Sequence, residues 1–481
     1  MIKHNIKYEW IALVRDRWIT ILTILFFSIT SFAIRNGNEK VNDRKVSIAK
    51  ERDKVEKIDA RFKVDIDSVN QKLKAPPKES WLDPRSLTNI AWDAPRVVAM
   101  DPQPLAIVST GQSDLFTHYA KPKIYGEAYT LGFSELSNPV QLLFGSFDLA
   151  FVCIYLLPLL VLAFSYNLLS SEKESGVLKL TFSQPVSLYR WLLDKLLLRF
   201  TILTGIVILS ITLGLIIYGV DVFGNAGVLL KLIFILIAYI FFWFAVSFLV
   251  NLFGKSSGNN AVTLVGIWLT IVLLIPSLIS QLSSSLNPVP SRIQMIHQYR
   301  VASAEANKKA DEILKTYYHD HPELAPKDTT KENQYQWILR YFASSEIVNQ
   351  SVKPILNEYN DALAKQQGWV DNLRFLSPAI LMQNSFNEIA GTSTAHYADF
   401  RKQVIEFADV WKGFFIPRMF ANELMPSEDI SKMPKYTYST SNVENYYSAD
   451  FFGIVLFILL AAFASLVVYR TYSVVSMVLQ S

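Results

Sequence analysis

Three places in the 481-residue sequence gather side chains of types that do chemistry. Gly254-Lys255-Ser256 has the ending of a phosphate-cradling loop. Such a loop also needs a glycine five residues before the Gly-Lys pair, where this chain has Leu249. A turn between two apolar segments is the expectation there. His319-Asp320-His321 sets two imidazoles on alternate residues of a polar linker that Pro322 interrupts. A metal site needs a third ligand and supporting hydrogen bonds, so a solvated turn is expected here too. The carboxylate pairs Asp65/Asp67 and Glu172/Glu174 have no histidine or serine partner that would make them catalytic. Neither Gly-x-Ser-x-Gly nor His-Glu-x-x-His occurs. The residues predict no enzyme, and no metal or cofactor held by this chain.

The most informative stretch runs from Ser170 to Phe200, between two membrane-length apolar runs. It enters through Glu172, Lys173 and Glu174, breaks at Gly176, and carries an apolar patch of Leu178, Leu180 and Phe182. Pro185-Val186-Ser187 then reads as a helix start, with Ser183 or Ser187 as its cap. Lys173, Lys179, Arg190, Lys195 and Arg199 hold the segment on the cytoplasmic side. A glycine break lets a surface helix meet the neighbouring span at an angle. The pattern is that of a handle for another protein to grip.

The elements that position this handle follow from hydropathy. The mean hydropathy is +0.24, and the 51% hydrophobic residues are clustered. Six runs approach the roughly 20 residues that cross about 30 Å of hydrocarbon. They fall at 18–34, 146–169, 200–219, 229–253, 261–279 and 451–469. The expected fold is an all-α polytopic membrane protein with six transmembrane helices and two extracytoplasmic insertions, mainly helical with some mixed α/β structure. The insertions are 35–145 and 280–449, the coupling segment 170–199 and the tail 470–481. Residues 1–17 read as an amphipathic interfacial helix on Ile2, Ile6, Trp10, Leu13 and Val14. Ser31-Phe32-Ala33 resembles a signal-peptidase site, but the structured lead-in favours an uncleaved anchor. Val41, Ile48, Val55, Phe62 and Val69 repeat every seven residues up to Pro76-Pro77. This thin seam suits either a helix packed on its own domain or a stalk of roughly 50 Å. The second insertion reads as helices at 291–318, 332–367 and 400–415.

Basic residues at the N-terminus, in 170–200, at Lys255 and at Arg470 place both termini in the cytoplasm, whereas 220–228 has none. A net charge of +4 with this distribution reports orientation and predicts no nucleic-acid partner. The single Cys153 allows no internal disulfide, which suits a bacterial inner membrane with periplasmic domains. Asp148 and Lys231 are expected at outer ends, in reach of water, leaving the span interiors without charge. That favours an external energy source over ion coupling. Pro158 and Pro276 each interrupt a span, as a hinge or as a packing kink.

Glu172-x-Glu174-x-Gly176, Leu178-x-Leu180, Gln184-Pro185-Val186-Ser187 and Lys195 together resemble the coupling region of permease subunits of type-2 ABC exporters. Val177 stands where that family usually has threonine, and Asp194 where it has glycine. Pro104-Leu105-Ala106 with Gly111–Leu115, and Leu376-Ser377-Pro378 with Ala390-Gly391-Thr392 and Phe400, resemble a bacterial subfamily with large loops after the first and fifth spans. The resemblance implies a cytoplasmic ABC ATPase that binds ATP and Mg²⁺, and a second permease copy or paralogue. It implies that Glu172 or Glu174 meets an ATPase arginine, and that an apolar or amphipathic substrate moves between the second and fifth spans. The alternatives are a non-transporting transmitter of ATPase motion to periplasmic partners and a membrane-bound enzyme.

Overall fold

The computed structural model describes residues 2–77, 79, 82–111, 117–124, 147–178, 188–325, 333–440, 443 and 446–471. Six of its helices are long and apolar enough to cross a membrane, the architecture of an all-α polytopic membrane protein. Helix α1 (Ile2–Arg15) ends where Arg17 takes a left-handed conformation, and α2 (Trp18–Asn70) follows. After the short α3 (Leu87–Asp93) come the strands β1 (Val98–Ala99) and β2 (Tyr119–Ala120), one antiparallel pair with Val98 opposite Ala120. This two-residue ladder is the only sheet among the described residues, less strand than the sequence suggested.

Four apolar helices follow: α4 (Leu149–Glu174), α5 (Leu188–Ile217), α6 (Ala226–Asn251) and α7 (Ser257–Leu286). The second insertion supplies α8 (Arg292–Lys308), α9 (Ala310–Asp320), α10 (Gln336–Leu373), α11 (Pro378–Ala390) and α12 (Thr394–Phe420). The last apolar helix is α13 (Tyr447–Thr471). Helix α5 begins at Leu188, so Lys195 and Arg199 lie on the helix that crosses, not in a separate connector before it.

Helix α2 runs unbroken for 53 residues, about 80 Å at 1.5 Å per residue. It continues the first apolar run, and its seam is largely buried. Ile48, Val55, Phe62 and Ile66 face the insertions, while Phe26, Ala33 and Ile34 face the bundle. The two insertions share one core, in which Phe62, Ile90 and Val98 pack with Ile338, Phe400 and Trp411. The Tyr335 hydroxyl joins them further, donating to Glu423 O at 2.6 Å and accepting from Leu87 N at 3.2 Å. Burial pushes this phenol up to about 12.

Helix α11 belongs to the bundle, although it lies within the second insertion. Leu381, Met382 and Phe386 are buried in the same core as the apolar helices, and α11 touches α6 and α13. Its ends are defined by Ser377 before Pro378 at the start, a favourable N-terminal pair. Gly391 at φ +69° closes the other end. A side chain on Gly391 would run into Gln103, and one on Gly111 (φ +52°) into Thr392, so the insertions interlock at two glycines.

Candidate functional site

The bundle end away from the insertions holds a network of buried and half-buried polar groups around the connector from α4 to α5. Helix α4 loosens into turns at Tyr166–Leu169 before its last turn. Such a break strands carbonyls, and three neighbouring helices supply donors for them. Arg199 Nη1 on α5 donates to Phe164 O at 2.6 Å. Asn251 Nδ2 on α6 donates to Ser165 O at 3.0 Å, and Asn260 Nδ2 on α7 to Tyr166 O at 3.2 Å.

The predicted handle residues lie just beyond this joint. Glu172 pairs with Lys195, which also reaches Glu9 Oε2 at 3.3 Å and stacks over the Trp191 ring. Arg199 meets Glu9 Oε1 at 2.6 Å. Glu9 is 6% exposed and Lys195 7%, so the alternating chain Glu172–Lys195–Glu9–Arg199 is largely out of water. Burial opposes the Glu9 charge, but the adjacent Arg199 and Lys195 outweigh it and hold the carboxyl below the usual glutamate range. Glu174 accepts from Ser257 N at 2.8 Å and Ser257 Oγ at 3.0 Å. It thus sits at the N-terminus of α7, where a carboxylate is electrostatically favoured. Ser170 bonds Ser257 through their hydroxyls at 2.8 Å, and Lys173 Nζ reaches Gly254 O at 3.1 Å.

Gly176 turns the chain at φ +75° and is exposed, and Leu178 is buried in the bundle core. Leu180, Pro185 and Ser187 lie outside the described residues, as do Lys179, Phe182, Ser183, Gln184 and Val186. Gly254-Lys255-Ser256 is a turn: Gly254 has φ +62°, and Ser256 caps α7 by accepting from Asn259 N. Both Glu172 and Glu174 are engaged within the chain. Sequence reasoning missed Glu9, the acceptor at the centre of the network. A lone acid in a basic amphipathic helix was the available signal. The structure turns Glu9 and Leu13 toward the bundle and leaves Ile6, Trp10 and Val14 exposed.

The prolines share a local geometry that the sequence did not disclose. A π-helical turn, Val152–Leu156, precedes Pro158, and another, Leu269–Leu274, precedes Pro276. Proline donates no N–H, so a carbonyl one turn back loses its partner. In each helix a hydroxyl from elsewhere meets a carbonyl of the widened turn. Tyr239 on α6 donates to Ile154 O at 3.1 Å, and Ser377 at the start of α11 to Ile271 O at 2.7 Å. Helix α11 touches both π turns.

The segment 104–111 lies over the far end of α4. Asp148 is buried there, accepting from Phe151 N at 2.8 Å and Thr110 N at 2.7 Å. Its role is to cap α4, not to meet water as expected. Lys231 lies exposed, its amine over the Tyr447 ring. His319 pairs with Asp320 and His321 with Glu323, both at 3.2 Å.

Residues 292–439 match a family described as a domain of unknown function, DUF3526. The match covers most of the second insertion and none of the six apolar helices. No characterised protein and no solved structure matches the chain.

Proposed function

We propose that this chain is the permease subunit of an ATP-driven exporter of the type-2 ABC kind, powered by a separate cytoplasmic ATPase. In this reading the polar network lies at the cytoplasmic face of a bacterial inner membrane, and the insertions project into the periplasm. The carrying observation is the joint at Phe164–Glu174. Donors and charges from α1, α5, α6 and α7 converge on the end of α4, so a push there moves five helices together. The exposed surface beside it, Gly176 and Val177, is what a motor would press on. The fifth apolar helix leaves Val262, Leu269, Leu274 and Leu278 exposed, a face for lipid or for a second permease copy.

The test uses the chain purified with its ATPase in sealed vesicles. Val177→Cys in a Cys153→Ala background should cross-link to the ATPase, with a yield that changes when ATP is added. ATP-dependent movement of an amphipathic substrate should accompany it. No ATPase at Val177, or hydrolysis unaffected by the permease, would remove this reading. A second reading, transmission of ATPase strokes without transport, draws on the unbroken α2, which enters both the bundle and the shared insertion core. It predicts ATP-driven motion of the insertions with no substrate crossing.

A further inference from the structure

A cavity of about 900 Å³ opens where the insertions meet the bundle, between α8, α10, α11, α12 and the start of α13. That is ample for a small-molecule site, typically about 300–1,000 Å³. Its walls carry charge of both signs, Arg401 and Lys402 beside Asp399 on one and Glu388 on another, with Asp361 and Asp371 on α10. On one, Arg401 of α12 is half-buried and donates to Asn360 Oδ1 of α10 at 2.7 Å. No carboxylate among the described residues comes within ion-pair distance of it. Burial lowers the affinity of this guanidinium for its proton. On the other wall, Glu388 of α11 accepts from Tyr446 N at 3.0 Å, while its Oε1 is buried without a partner. Burial pushes its carboxyl above the usual range. Asp371 lies nearby on the lining, together with the Tyr446 ring.

The floor ties the cavity to the last apolar helix. Arg374 there is paired with Asp450 in the first turn of α13 at 2.8 Å, and its guanidinium stacks on Phe375 and Tyr446. Phe375 is 42% exposed and lies against Gly453 on the next turn of α13. Leu376 and Phe452 beside these residues in sequence are also exposed. Exposed apolar side chains thus lie next to the cavity's Arg374, at the end of an apolar helix. Gly368 lies inside the 38-residue α10 and lines the cavity, and a Cβ there would meet nothing within 4 Å. Glycine weakens a helix interior, so alanine or a larger residue would have been favoured there if only the helix mattered.

We propose that this cavity binds the headgroup of an amine-bearing phospholipid. The phosphate sits at Arg401 and Asn360, the ammonium at Glu388 and Asp371, and the acyl chains leave along Phe375 and Leu376. Arg401 and Glu388 in one cavity suit a zwitterion, and the exposed Phe375 and Leu376 next to its Arg374 suit an amphiphile over a hydrophilic peptide. An unpaired guanidinium favours phosphate because its N–H fork fits the oxygens.

The test uses the full purified chain in detergent, with dihexanoyl phosphatidylethanolamine as probe and ligand-induced thermal stabilisation as readout. It needs no ATPase, so it stands or falls separately from the transport reading. Dihexanoyl phosphatidylglycerol, which lacks the ammonium, should bind about tenfold more weakly, the scale of one charge-assisted hydrogen bond. Arg401→Gln and Glu388→Gln should each lose a similar factor. Gly368→Phe, whose Cβ meets nothing within 4 Å at the lining, should abolish binding while the unliganded chain keeps a cooperative melting transition. Undiminished binding in Gly368→Phe would overturn the proposal. So would equal affinity for the two lipids, or tighter binding of trialanine, a zwitterion without acyl chains.

Discussion

Lys195 is where loss of one group does the most harm at the joint. It is buried between Glu9 and Glu172, and removing the cation leaves two carboxylates without it. Breaking a buried charge pair from one side typically costs about 3–5 kcal/mol, more than the intact pair contributes over an apolar replacement. Lys195→Ala should therefore lower thermal stability in detergent by about that amount. Glu174→Gln, at an exposed site that keeps an acceptor for Ser257, should cost under about 1 kcal/mol. Equal effects would mean that the network is not desolvated as the geometry indicates. Glu9 adds a pH dependence. Its folded-state carboxyl titrates below the ordinary glutamate value of about 4.3, so its contribution is complete above that pH. As the pH falls below about 4.3 toward the lowered native value, Glu9 takes up a proton and the contribution is lost. Glu9→Gln should flatten acid destabilisation in this window, measured as melting temperature against pH. The sequence named Glu172, Glu174 and Lys195 as a group, but not the pairing of Glu172 with Lys195. Side-chain pairing across 23 residues depends on where three helices cross, which hydropathy does not encode.

Whole elements were more legible than their joints. Six apolar runs became six helices because hydrocarbon-length hydrophobicity is a strong constraint, with every backbone group satisfied inside a helix. The seven-residue seam of α2 likewise predicted its buried face. Helix α11 was not read as a helix. Ser377-Pro378 and Gly391 had been noted for their likeness to a family, yet they are its start and stop signals. The π turns were also invisible: proline announces a defect, but whether the helix kinks or widens depends on which neighbour can bond the freed carbonyl. Tyr239→Phe and Ser377→Ala separate the two staples. Each leaves a carbonyl of a π turn unpartnered, at about 1–3 kcal/mol for a buried group in water-soluble proteins and nearer about 0.6 kcal/mol within a membrane. Ser377→Ala also removes the cap to Ala379 N, so it should be the more destabilising by thermal unfolding. If Tyr239→Phe were the worse of the two, the cap and the Ile271 bond would not be additive at Ser377.

At the scale of the molecule, α4 links two polar centres. Its last turns lie in the charged joint, and its π turn touches α11, whose N-terminal Ser377 holds the matching turn of α7. Arg374, at the foot of the cavity, is paired to α13. The topology implied by six crossings gives a direct check on which compartment each centre faces. Cys153 is the single cysteine and is buried, so Cys153→Ala provides a background for site-directed labelling. Phe223 is 89% exposed in the turn between α5 and α6, at the insertion end, and Val177 is 45% exposed at the other. An impermeant maleimide added to intact cells should label Phe223→Cys and leave Val177→Cys untouched until the membrane is opened. The reverse pattern would place the joint outside, beyond reach of any cytoplasmic motor. With the orientation fixed, the elements between the centres carry a further expectation. If the proposed ATPase docks at the joint and α4 and α11 move as one unit, ligand in the cavity and nucleotide on that motor must influence each other to the same extent, because a coupling free energy is shared by both sites. In the assembled complex, dihexanoyl phosphatidylethanolamine should therefore shift the apparent affinity for ATP by the factor by which ATP shifts lipid binding. Ser377→Ala should shrink both factors together, since it cuts the bond from α11 to α7 without touching either site. A change in one factor alone would break the linkage and show that the two centres act through separate parts of the bundle.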